Sequence, residues 1–413
     1  MRLSLCLAAL CALCLPATRL HADWPQWRGP GGAGVWPKPN APEDFASRQP
    51  KALWRQAIGG GYSGLSTAAG RLYSLDRPKS EALERLQCRS ALTGELLWQQ
   101  QWPADYGSME YANGPRSCPT IANGLVYVLG ATGVTSAFQA DTGKLVWQVD
   151  CVATHQAKRP TWGFAASPVL HGSHLLLHVG APQGSVLALD ANTGSLQWKG
   201  GEDPAGYCTP QIIEHHQQRQ LISWGPKHIE SLVPESGKLN WRWAYPVTYG
   251  VSIAQPIHHD GLLLVSGYWH GTRTLQLGET PADPPRLAWE NRERICGLMS
   301  TGLRRGEVVY LLDKSQGLQA IELRTGRILW SDDKQLESAA QNPQMSLVWL
   351  DEAKGLAAGL NSDGELLFIE LKPEGRRELA RHQLIGKTWA HPAFDGPMVF
   401  LRSDSTLAAW KLW

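Results

Sequence analysis

The sequence predicts an all-β fold, an eight-bladed β-propeller built from four-stranded blades. The first observation behind this is a spaced pair. A Trp stands four residues after the Gly of a Thr-Gly or Ser-Gly turn at Gly94 and Trp98, Gly143 and Trp147, Gly194 and Trp198, Gly237 and Trp241, and Gly326 and Trp330. Successive intervals between these tryptophans are 49, 51 and 43 residues, then 89, about two units, with Trp289 near the middle of the long gap. A period of roughly 40–50 residues of strand and turn marks a propeller or a similar array. The second observation is an independent count. An apolar strand follows Gly70, Gly124, Gly172, Gly261, Gly306, Gly355 and Gly396, and another lies near Gln220, which makes eight units. The third is a spare strand, Lys51-Ala52-Leu53-Trp54-Arg55, which has the outer-strand pattern but no unit of its own.

Taken in order, residues 1–22 read as a secretory signal, with Arg2 before an apolar stretch from Leu3 to Leu15 and a small residue at Ala22. That stretch is too short to span a bilayer as an ordinary helix. Lipidation at Cys11 or Cys14 is disfavoured, because Leu10 and Leu13 stand where a small residue belongs. Residues 23–50 form a Pro- and Gly-rich extension with Trp24, Trp27 and Trp36, expected to anchor across the ring rather than hang free. The propeller proper runs over 51–413. In each unit a first strand, often entered by Pro, leads through Gly turns into the second and third strands. The Thr-Gly turn and the Trp-bearing strand complete it. Gly suits turns that need positive φ.

The last unit, from His391 to Trp413, has room for three strands, so the spare N-terminal strand is expected to complete it. Closure of this kind removes two exposed sheet edges. Seven blades remain an alternative, because the fifth unit replaces its Thr-Gly turn with residues 279–285. Trp54, Trp98, Trp147, Trp198, Trp241, Trp289 and Trp330 are read as structural, each burying its ring against the next blade while its N–H reaches a carbonyl.

Composition narrows the function. Removing the signal takes two arginines from 39 basic residues and leaves 37 against 37 acidic ones. A neutral chain without a Lys/Arg run has no electrostatic footprint for nucleic acid or an anionic membrane. Cys88, Cys118, Cys151, Cys208 and Cys296 are odd in number, so at least one is free or pairs outside the chain. His171, His174 and His178 are read as chance polar positions, His215-His216 and His258-His259 as turn histidines, and Asp313-Lys314 and Asp332-Asp333 as surface turns. No phosphate loop, nucleophile elbow or HExxH motif occurs. No residue is assigned a catalytic or metal-binding role.

The Asp141-Thr142-Gly143-Lys144-Leu145-Val146-Trp147 unit resembles the repeat of the pyrroloquinoline-quinone (PQQ) propellers, and the resemblance covers nearly all of 51–413. Asp23-Trp24-Pro25-Gln26-Trp27-Arg28-Gly29-Pro30 looks like the opening of exported PQQ-like propellers. The resemblance implies one of two kinds of protein. One is the quinoprotein alcohol dehydrogenases, which hold PQQ and a calcium or lanthanide ion on the axis, with an Asp base, a Trp platform and usually a disulfide between adjacent cysteines. The other is the BamB-type outer-membrane assembly factors, which carry no quinone and bind proteins. This chain has no adjacent cysteines and no mature-region CxxCH haem site, and it is shorter than the dehydrogenases.

The expectation is therefore an exported, non-catalytic, monomeric scaffold of the periplasm or outer envelope, without a cofactor, whose partner is an envelope protein or peptide segment. A PQQ-dependent dehydrogenase and a carbohydrate-binding accessory protein are the alternatives. The binding mouth is placed where loops between blades converge, at Tyr62, Tyr111, Arg116, Trp162, Tyr207, Tyr249, Arg294 and Trp389. Aromatic rings with Arg and Tyr hydroxyls suit a protein segment or a sugar ring.

Overall fold

Alternating apolar strands with Gly turns pair into eight antiparallel four-stranded sheets, one for each unit read from the sequence. A computed structural model of the chain describes residues 23–297, 299–337, 339 and 342–413. The expected signal, residues 1–22, lies outside the described residues. Blade 1 spans 66–103, blade 2 120–150, blade 3 169–200, blade 4 211–244, blade 5 257–291, blade 6 303–331 and blade 7 345–383. Blade 8 joins Ala393–Asp395, Met398–Arg402 and Thr406–Lys411 to the N-terminal strand Lys51–Ala57, which pairs antiparallel with Thr406–Lys411. The spare strand thus closes the ring as the sequence predicts. The fifth unit is a regular blade, so the ring has eight.

The repeat Trp has a definite mechanical role. It lies on the outermost strand beside a β-bulge, as Trp98 does opposite Cys88 and Trp147 opposite Ala137. For five of the seven, Trp54, Trp98, Trp147, Trp198 and Trp289, the ring lies over the turn Gly of the following blade. A methyl carbon on Gly143, whose φ is +72°, would stand 2.6 Å from the Trp98 ring. Only Gly meets both demands, positive φ and no side chain. Five of the seven indoles also donate to the next blade: Trp54 to the Ala91 carbonyl, Trp98 to Ala140, Trp147 to Ala191, Trp289 to Leu323 and Trp330 to Lys372. Trp198 departs from the expected pattern, since its Nε1 is enclosed without a partner.

Blade 7 has no repeat Trp. Ala380 stands at the corresponding bulge, opposite Phe368. The vacated volume is filled from elsewhere. Phe45 of the extension packs edge-on against Phe368 at 5.1 Å, with Trp413 beside both rings.

The rest of the extension crosses the channel on the face of the first-to-second-strand turns. Trp24 exchanges backbone hydrogen bonds with Thr67 of blade 1, and the Ile121 amide of blade 2 donates to Pro25. Trp27 packs against His391 at 3.9 Å with the rings tilted by 59°, and Arg28 reaches Thr301, just before blade 6, and Leu347 on the inner strand of blade 7. Trp36 is buried against Phe394 and donates to the Gly396 carbonyl of blade 8. All five cysteines of the described chain are buried and unpaired. Among the described residues no helix is long and apolar enough to cross a membrane.

Candidate functional site

The opposite face carries the loops that join one blade's outer strand to the next blade's inner strand. Six of the eight predicted mouth residues meet there. Tyr62, in the loop entering blade 1, lies 5.6 Å from Trp389, in the loop entering blade 8. Trp389 is 5.8 Å from Tyr111, Tyr111 is 6.4 Å from Trp162, and Trp162 is 5.4 Å from Tyr207. The Arg116 guanidinium lies over the Tyr62 ring at 5.6 Å. These contacts form one unbroken aromatic arc across five consecutive inter-blade loops, from the loop before blade 8 to the loop before blade 4.

Hydrogen bonds brace the arc from beneath. Arg116 donates to the carbonyls of Gly114, Glu110 and Tyr111, which fixes the loop that carries Tyr111. Trp162 donates from Nε1 to Glu110 at 2.8 Å, and its amide donates to the Tyr207 hydroxyl. Burial draws the Arg116 guanidinium below its ordinary value and pushes the Tyr62 and Tyr207 hydroxyls above theirs, so none of the three changes charge near neutrality. Tyr111 stands 52% exposed at the centre, on a backbone with φ of +51°. A non-Gly residue in the left-handed region is strained, and such strain concentrates at functional sites.

Tyr249 and Arg294 fall outside the arc. Tyr249, 74% exposed and also left-handed at φ +55°, packs edge-on against Trp269 at 6.3 Å. Trp269 packs against Tyr268 at 4.5 Å, and Lys314 covers both rings. This second patch was missed as a group in the sequence. Its signal was present: Tyr268-Trp269-His270 fills a blade turn whose counterparts are small or polar, such as Ala131-Thr132. Arg294 is exposed, and its backbone amide is tied to Asn291, but no ring contact joins it to either patch among the described residues.

Three expectations for polar residues need correction. His178 is not a chance polar position. It is fully enclosed, its Nδ1 bonding the Cys208 carbonyl and its Nε2 facing the Gly206 amide. Asp313 and Asp332 are not surface turns. Both are buried and accept backbone amides, Asp313 from Cys296, Ser315 and Gln316, and Asp332 from Leu318, Lys334 and Leu336. They fasten loops by satisfying amides that no strand pairs.

Eight four-stranded blades with Trp-over-Gly contacts between neighbours define the class, a PQQ-like β-propeller. Within it, the chain belongs to the family described as outer membrane protein assembly factor BamB, whose profile matches residues 43–201, 82–332 and 225–412. The chain is 26% identical over 251 residues to an outer membrane protein assembly factor BamB from Alteromonas naphthalenivorans. That alignment covers 56% of this chain and 58% of the relative, so the chain spans little over half of that relative's length. BamB of Moraxella catarrhalis superposes with a TM-score of 0.60 at 14% identity, covering 88% of this chain and 98% of that one. Quinohemoprotein alcohol dehydrogenase from Comamonas testosteroni superposes with a TM-score of 0.65 at 12% identity, covering 95% of this chain and 80% of that one. The shared shape therefore does not separate binder from enzyme.

Proposed function

We propose that this protein is a non-catalytic scaffold of the bacterial envelope that holds a segment of another protein on the aromatic arc. The carrying observation is the continuity of the arc, with Tyr111 exposed over rings that are braced by Arg116 and Glu110. Rigid aromatic and Arg groups inside a polar rim are the composition of protein-binding hot spots. Membership of a family named for outer membrane assembly supports the envelope location.

The donor set favours this reading over quinone chemistry. Among the described residues no three His, Cys, Asp or Glu side chains converge as a metal set, and the five cysteines are separate thiols. Such residues do not fit a metal-bound quinone roofed by a disulfide between adjacent cysteines. Titration of the purified protein with PQQ and calcium, read by absorbance and by dye reduction with simple alcohols, is expected to give no calcium-dependent binding and no turnover. Stoichiometric quinone binding with turnover would replace the scaffold by a compact dehydrogenase.

The binding claim has its own test. A photo-reactive residue at Tyr111 or Trp389 is expected to give one discrete adduct in envelope preparations, and the same residue at Leu145, exposed on a blade flank, none. Equal labelling from both places would sink the assignment. The exposed Trp269, at 47%, favours a second reading in which that patch stacks a sugar ring. Saturable quenching of tryptophan fluorescence by oligosaccharide, abolished in Trp269→Ala, would support it.

A further inference from the structure

On the face away from the arc, the extension covers only part of the channel mouth. The rest is a cavity of about 640 Å³, bounded by the inner strands of blades 3 to 7 on one side and by the extension on the other. Its volume falls within the range of small-molecule sites, roughly 300–1,000 Å³. Ile212, Ile257 and Trp349 give it apolar walls.

Its lining carries three arginines against two glutamates. Arg28 lines the cavity and is 6% exposed. The guanidinium donates to the carbonyls of Thr301 at 3.4 Å, Leu347 at 3.3 Å and Gly302 at 3.3 Å, all long. Among the described residues no carboxylate pairs with it. Burial lowers its pKa to about 10, so it stays cationic at neutral pH. A buried charge without a counter-charge is costly, and carbonyl dipoles at that distance offset only part of the cost. Two further lining groups, Trp27 Nε1 and His258 Nε2, are enclosed without a hydrogen-bond partner. The other charged lining residues, Arg219 and Arg304 against Glu214 and Glu352, are equal in number, which leaves Arg28 as the excess positive charge.

We infer that this cavity is a binding site for a small carboxylate-bearing molecule with a flat apolar body, its carboxylate on Arg28. The paired N–H groups of one guanidinium match the two oxygens of a single carboxylate. A phosphate dianion would carry more charge and more acceptors than these groups supply. The site is separate from the aromatic arc and does not depend on what the arc binds.

Calorimetric titration of the whole protein with 2-naphthoate, against the neutral 2-naphthamide, tests it. Naphthoate is expected to bind one to one, and the amide at least about tenfold more weakly. Arg28→Met is expected to weaken naphthoate by about tenfold or more, with Arg28→Lys recovering part of the loss. Ile212→Trp, which fills the cavity without altering charge, is expected to abolish binding of both. Equal affinity for acid and amide, no saturation with naphthoate, or undiminished binding in Ile212→Trp would each overturn the inference. The acid-to-amide ratio and Ile212→Trp decide the matter even if Arg28→Met does not fold.

Discussion

His178 shows how a single side chain ties stability to pH. Both ring nitrogens are engaged only in the neutral form, with Nδ1 donating and Nε2 accepting. Burial holds the imidazole below its ordinary value of 6.5. Its folded pKa is depressed, so its contribution is present above 6.5 and is lost as pH falls from there toward the folded value. Stability measured by urea unfolding is expected to fall as pH is lowered over that range. In His178→Gln that part of the slope is expected to vanish, and an unchanged slope would remove His178 as its source. A second residue-scale expectation separates strain from crowding. Gly124 and Gly143, both in blade 2, have φ of +77° and +72°, but only Gly143 faces a ring. Gly124→Ala is expected to cost about 1 kcal/mol and Gly143→Ala about 2–3 kcal/mol, read from urea midpoints. The turn at Gly143 was legible because Thr-Gly recurs at fixed spacing. The enclosure of His178 was not, because its partners Gly206 and Cys208 come from the loop leading to the next blade, about 30 residues on.

At the level of elements, the extension substitutes for a missing part of the repeat. Where every other blade offers a Trp at its bulge, blade 7 offers Ala380, and Phe45 arrives from over three hundred residues earlier to pack on Phe368. Phe45→Ala is expected to cost about 3 kcal/mol through the cavity it opens between blade 7, Trp413 and the extension. Ala380→Trp in that background is expected to recover part of the loss, as measured by thermal unfolding. No recovery would mean that the Phe45 site and the repeat Trp site are not interchangeable. The absence of a Trp in the seventh unit could be read in the sequence, but its filler could not, since no local pattern links an irregular N-terminal stretch to a distant strand. The same holds for the site. The sequence marked six arc residues by their place in inter-blade loops, whereas the Tyr249 and Trp269 pairing needed the turn within blade 5 to be placed beside the loop before it.

For the whole molecule, stability is expected to depend on the first strand far more than on the extension ahead of it. A chain beginning at residue 51 keeps four strands in blade 8, and one beginning at 58 leaves Thr406–Lys411 as an open edge. The shorter truncation is expected to remain a cooperative fold with a lowered Tm. The longer one is expected to aggregate or to unfold without a sharp transition, as read by size-exclusion chromatography and calorimetry. Similar behaviour of the two would show that closure contributes little. The overall ring was legible because each blade repeats the same strand-and-turn chemistry, and even its closure followed from one strand too many at the start and one too few at the end. The seam also divides the aromatic arc, since Tyr62 follows the first strand of blade 8 and Trp389 precedes the remaining three. The two rings meet only when the last strands have been synthesised and have found the first. A truncated or half-folded copy therefore cannot assemble the full arc, which comes into being only with the closed ring.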